Sequence, residues 1–157
     1  MSEQLSKAAY IIGVDPGSCH VGWAGYTHSP LVGAPKLVYG VIHRRSTEKL
    51  PEFGERCGQF LSDSFPCETL VIEKPSFRCN LRSWVAGNAL LDTSIVLGFI
   101  AAHLEYRKIL LPTPEEWKGN LNSSMVAHRL MEGYRIGAKS HAADAVGLMF
   151  FGMGVRL

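Results

Sequence analysis

A buried strand that ends in a carboxylate and doubles back on itself is the tightest constraint in this chain. Residues Tyr10 to Tyr26 read YIIGVDPGSCHVGWAGY. Tyr10, Ile11, Ile12 and Val14 favour extended backbone, and no charge interrupts them before Asp15, so the run predicts a buried strand. Asp-Pro-Gly-Ser then supplies a turn: Pro16 fixes φ, and Gly17 takes a positive φ without steric penalty. Alternation resumes from His20 to Tyr26, which predicts a second strand folded back beside the first. Asp15 falls where the sheet opens into the turn. A carboxylate there either caps the turn or binds something.

The rest of the chain extends that hairpin into a mixed α/β domain. Residues 1–7 read as a loose tail and Ser29–Pro35 as a loop. Lys36–His43 alternates again, giving three consecutive strands in an antiparallel meander. A helix is expected from about Thr47, with Leu50, Phe53, Cys57, Phe60 and Leu61 on one face. Glu68–Glu73 is a short apolar run ending in a carboxylate, as expected of a central strand covered on both faces, and Pro75 stops it. Lys74–Trp84 reads as a loop. Ala86–Tyr106 is a long helix whose apolar residues fall all round the axis, so a second copy packed along it is expected to complete its cover. Lys108–Leu111 is a fifth strand. Thr113, Pro114 and Glu116 are an N-cap, an N1 proline and an N3 acid opening a short helix. Helices follow over Ser123–Glu132, stopped at Gly133, and from an N-cap at Ser140 over SHAADAVGLMFFGMG.

Composition narrows the class without choosing the function. The 157 residues suit one domain, 46% are hydrophobic, and no apolar run approaches the roughly 18 residues of a membrane span. The N-terminal MSEQLSK lacks the apolar core of a signal peptide, so a cytoplasmic location, or the host cytoplasm for a viral protein, is the expectation. A net charge of +2 permits a polyanionic partner. Cys19, Cys57, Cys67 and Cys79 are too widely spaced for a paired zinc motif and read as reduced thiols.

Three acids sit at element ends: Asp15 after strand one, Glu73 after strand four, and Asp144 early in the last helix. His141 precedes Asp144 by three residues and shares its helical face. If strands one and four are parallel neighbours, their ends lie about 5 Å apart, and ligands of open α/β sheets collect at such carboxyl ends. Converging carboxylates call for a cation, and hard oxygen donors suit Mg²⁺ or Mn²⁺. Two such ions can clamp the attacking and leaving oxygens of a phosphodiester. His141 would tilt the preference towards Mn²⁺, or act as base or proton carrier. Taken singly, Asp15 could cap a turn, Glu73 could pair with Lys74 or Arg78, and Asp144 could complement the helix dipole. Together these separate explanations become the weaker account.

GVDPGSCHVGW, LVIEKPSF and SHAADAVGL, in that order and spacing, closely resemble the RuvC-type Holliday junction resolvases of the RNase H-like nuclease superfamily. The resemblance covers most of the chain. It implies an RNase H-like fold with a five-stranded mixed sheet flanked by helices, working as a homodimer. The implied activity is metal-dependent, structure-selective endonuclease cleavage of four-way DNA junctions, by paired nicks and two-metal hydrolysis. Asp15, Glu73, His141 and Asp144 match the family's metal-binding positions, the third being aspartate in many members and histidine in others. Phe77 matches by position the aromatic residue used at the junction centre, with Trp84 as an alternative. Trp117-Lys118-Gly119 resembles the family's basic segment. Lys74, Arg78, Arg82, Lys118 and Lys139 flank the acids and would receive phosphates, although any one alone could be a solvated charge. Competing readings are a related nuclease acting on other branched DNA or structured RNA, and a junction-binding protein without catalysis. An actin-like ATPase fold, whose first loop also carries Asp-x-Gly, needs a second domain that 157 residues do not supply.

Overall fold

The computed structural model describes residues 11–27, 36–75 and 83–157. The expected tail and the 29–35 loop lie outside these residues. Five strands form one sheet: β1 (Ile11–Asp15), β2 (His20–Thr27), β3 (Lys36–His43), β4 (Thr69–Ile72) and β5 (Lys108–Leu110). Their order is β3-β2-β1-β4-β5. β1 to β3 make the predicted antiparallel meander, whereas β4 runs parallel to β1 and β5 parallel to β4. The sheet is therefore mixed, with β1 at its centre and buried throughout.

Strand parity divides the core in two. On β1, Ile12 and Val14 face a layer containing Val21, Leu70, Ile72, Phe53, Cys57, Leu61, Val96 and Ile100. Val21 belongs to β2, and Leu70 and Ile72 to β4; the others come from two helices, α1 (Leu50–Ser64) and α2 (Ser83–His103). Ile11 faces the other way, into a layer with Ala24, Val71, Val126, Leu130, Val146 and Met149. That second layer is built by α3 (Pro114–Trp117), α4 (Ser123–Tyr134) and α5 (Ser140–Gly152). α5 approaches the sheet closely because β1 and β2 present glycines to it. A Cβ on Gly13 would collide with the Ala145 carbonyl, and one on Gly22 with the His141 carbonyl.

Several boundaries differ from expectation, each for a local reason. α1 begins at Leu50 rather than near Thr47, because the Lys49 N–H is taken by the Glu52 side chain, 3.1 Å away. Phe60 is 40% exposed rather than on the buried face; it packs edge-on against Trp23 of β2. α2 begins and ends three residues earlier than the predicted 86–106. α4 runs through Gly133 to Tyr134 and is ended by Arg135, which adopts the left-handed φ of 56°. Lys139, not Ser140, is the N-cap of α5. Among the described residues no helix is long and apolar enough to cross a membrane.

Candidate active site

Parity also assigns the functional side chains. On β1, residues 11, 13 and 15 share the α5 face, so Asp15 emerges from the strand beneath that helix. On β4, Val71 belongs to the same layer, so Glu73, two residues later, emerges beside Asp15. The parallel register pairs Val14 with Ile72, and the Glu73 N–H donates to the Val14 carbonyl at 3.1 Å. The two carboxylates thus leave adjacent strand ends on one face. α5 crosses that face with its first turns over the ends, bringing His141 and Asp144. All four sequence-predicted metal-binding positions therefore meet at the carboxyl edge of the sheet.

The side chains form two linked groups. In the first, His141 Nδ1 lies 2.7 Å from Asp15 Oδ2. With Asp15 ionised, its carboxylate only accepts, and Nδ1 then carries the proton. In the second, Asp144 Oδ2 accepts from Lys118 Nζ at 3.0 Å and from Ser123 Oγ at 2.6 Å. Lys118 Nζ also lies 3.6 Å from Glu73 Oε2, which accepts the Trp117 indole N–H at 2.8 Å. Asp15 and Asp144 are both buried, at 7% and 4% exposure, and Asp144 Oδ1 is buried with no hydrogen-bond partner among the described residues.

Electrostatics reflect this crowding. Burial pushes the Asp15 carboxyl above the usual aspartate range; the His141 hydrogen bond opposes that rise, and the Asp144 charge adds to it. Burial likewise raises Glu73, with Asp15 adding to the rise and Lys118 and Trp117 opposing it. His141 is raised chiefly by its hydrogen bond to Asp15.

These residues fit a hard divalent cation. The donor set is rich in carboxylate oxygen, one buried carboxylate oxygen has no partner among the described residues, and mutual repulsion disfavours the charged forms until positive charge arrives. As the side chains stand, however, no three His, Cys, Asp or Glu groups among the described residues are gathered closely enough to hold an ion. His141 is engaged with Asp15, and Lys118 lies against Glu73 and Asp144.

The expected phosphate-binding residues divide. Lys74 and Lys139 are exposed beside the site. Lys118 is nearly buried within it, its side chain 9% exposed. Phe77, Arg78 and Arg82 lie outside the described residues, as does the side chain of Trp84. Trp117, Ser123 and His20 were not singled out as site residues by sequence. Trp117 holds Glu73, and Ser123 holds Asp144. His20 stacks on His141 with ring centroids 5.6 Å apart and planes at 15°, and meets His43 edge-on at 5.0 Å. Strand parity could have found His20, since residues 20, 22 and 24 of β2 share the α5 face. Nothing in the spacing of Trp117 or Ser123 indicates which acid each would meet.

No family model matches the sequence, and neither does any curated protein. Solved structures do. RuvC of Thermus thermophilus in complex with a Holliday junction substrate aligns with a TM-score of 0.63 at 19% identity, over 92% of this chain and 95% of that one. The yeast mitochondrial Holliday junction resolvase Ydc2 gives 0.57 at 14%, over 96% and 83%. Fowlpox virus resolvase with its substrate Holliday junction DNA gives 0.54 at 14%, over 92% and 98%. The chain has the fold of the RuvC-type junction resolvases, with the expected five-stranded mixed sheet flanked by helices.

Proposed function

We propose that this protein is a metal-dependent, structure-selective endonuclease that resolves four-way DNA junctions by paired nicks. The observation that carries the reading is the meeting of Asp15, Glu73, His141 and Asp144 at one sheet edge, in a fold shared with junction resolvases over more than nine-tenths of the chain. Asp15, Glu73, Asp144 and His141 would hold Mg²⁺ or Mn²⁺. When bound, such ions activate a water and neutralise charge developing on the scissile phosphate. The chain's own groups do the rest. Asp15 orients the His141 ring through Nδ1, leaving Nε2 as the group able to ligate or to move a proton. Trp117 and Ser123 fix the Glu73 and Asp144 carboxylates. Lys74 and Lys139, exposed at the rim, receive backbone phosphates and position the duplex arms without reading sequence. A homodimer packed along α2 would present two such sites to a substrate of matching two-fold symmetry.

Cleavage of labelled four-way junctions, Y-forks and linear duplexes, compared in Mg²⁺ and in Mn²⁺, tests this reading. The expected outcome is symmetric nicking of junctions and little cutting of linear duplex. Asp15→Asn and Asp144→Asn should each bind junctions as the wild type does while nicking falls at least about a hundredfold, since each removes a group that holds the ion. Nicking retained by either variant would remove that residue from the metal site. Junction binding by the wild type without cutting, in either ion, would refute the nuclease reading.

A further inference from the structure

A lysine that serves only to receive DNA phosphates sits in solvent. Lys118 does not. Its ammonium lies 3.0 Å from Asp144 Oδ2 and 3.6 Å from Glu73 Oε2, and 4.7 Å from the centroid of the Trp117 ring. Its backbone is fixed. The Lys118 N–H closes α3 by donating to the carbonyl of Pro114, the first residue of that helix, whose N-terminus Thr113 caps, and the Lys118 carbonyl accepts from the Leu121 N–H. What remains free to move is a four-carbon stem carrying a point charge. Buried carboxylates that repel one another need a compensating cation, and in the metal-free protein this ammonium provides one. It does so incompletely, since Asp144 Oδ1 has no partner among the described residues.

We propose that Lys118 is a resident counter-ion of Glu73 and Asp144 that a divalent cation displaces, freeing the ammonium for a substrate phosphate. This rests on the metal-dependent reading above. Lysine and ion compete for the same two carboxylates, so the metal-free site is held together while metal affinity is kept below what the carboxylates alone would give. A phosphate that accepts the released ammonium stabilises the displaced state, so junction DNA and metal each strengthen the other's binding.

Calorimetric titration of Mn²⁺ into the wild type, Lys118→Met and Lys139→Met, at one ionic strength, tests the exchange. Lys118→Met should bind Mn²⁺ about tenfold tighter than the wild type, whereas Lys139→Met, which removes an equal charge from the rim, should change affinity less than about twofold. Metal-free Lys118→Met should melt below the wild type, and Mn²⁺ should close the gap. A second measurement needs no stable variant at that position. In wild-type protein with ¹³C-labelled lysine, the Lys118 Cε signal (identified by its absence in Lys118→Arg) should move during a Mg²⁺ titration with the midpoint of Mg²⁺ binding. Equal, measurable Mn²⁺ affinities for wild type and Lys118→Met, or a Lys118 signal unmoved at Mg²⁺ saturation, would overturn the exchange while leaving the metal site standing. Absence of Mn²⁺ binding to both proteins would overturn the metal-dependent reading, and the exchange with it.

Discussion

The carboxylate of Glu73 is held where burial and a second carboxylate both disfavour its charge, and this makes a stability prediction for the metal-free protein. Its folded pKa lies above the ordinary 4.5. The protonated form is favoured in the fold, so Glu73 supports stability at acid pH and withdraws that support as pH rises through the raised value. Glu73→Gln keeps an oxygen for the Trp117 N–H and removes the charge. The variant should therefore melt above the wild type near neutral pH without metal, the advantage vanishing as pH falls below the ordinary value. If Glu73 holds the proposed ion, added Mn²⁺ should reverse the order, because only the wild type keeps the carboxylate. A scan of melting temperature against pH, with and without Mn²⁺, measures both effects. The same conflict between a charge and its apolar surroundings is why Glu73 and Asp15 stood out in the sequence as candidates. An acid ending an otherwise apolar strand breaks the local pattern, and such breaks mark functional positions. Trp117 and Ser123 obey their local patterns, a capped short helix and a helix start. Their partnership with the acids follows from docking, to which spacing is blind.

Among the elements, α1 and α2 carry separable predictions. Glu48, just before α1, accepts from Arg56 Nε at 2.7 Å, and its other oxygen accepts from the Arg56 guanidinium and the Arg45 N–H. The same guanidinium donates to the His43 carbonyl, tying α1 to the end of β3. The hydrogen bond from Arg56 holds the Glu48 carboxyl down at about 2. A depressed carboxylate stabilises the fold above its unfolded pKa and loses that contribution as pH falls through the folded value. Acid unfolding should accordingly show a component between about pH 5 and pH 2 that is absent from Glu48→Gln. α2 makes a prediction about assembly. Val96 and Ile100 turn inward, whereas Leu91 is 60% exposed and Ser94, Gly98 and Ala102 follow it on the outer face. Small residues at such spacing allow two helices to approach closely. No atom of the described residues lies within 4 Å of a Cβ built on Gly98, so Gly98→Trp should leave the monomer folded and abolish a dimer packed through α2. Sedimentation velocity at micromolar concentration reads the difference. Sequence periodicity showed that α2 is apolar all round, and it placed the strands almost to the residue. It erred at helix ends, at Gly133 and Ser140, where backbone φ and capping decide and hydrophobic period carries no information.

At the scale of the whole molecule, the site's position at one edge of a single sheet determines what one copy can do. On the proposed function, each chain contributes one set of Asp15, Glu73, His141 and Asp144, enough for one phosphodiester, whereas resolution of a four-way junction needs two opposed strands cut. The proposed paired nicking would therefore require two chains on one junction. Coupling between the cuts would then belong to the proposed dimer, not to either site. Mixed dimers separate the two. Wild-type and Asp144→Asn chains carrying different affinity tags, co-expressed and purified through both tags, would contain one working site each. Such dimers should bind junctions as tightly as the wild type, because Asp144 is a buried residue of α5 and the rim lysines are unchanged. They should nick a single strand and leave the opposite strand intact, so that native gels of a mobile-core junction show nicked junction accumulating with little linear duplex product. Wild-type dimers should convert junction to linear duplexes with little nicked intermediate. Linear duplexes formed by mixed dimers at the wild-type rate would mean that one site cuts both strands in turn, and the two-fold arrangement proposed through α2 would lose its functional basis.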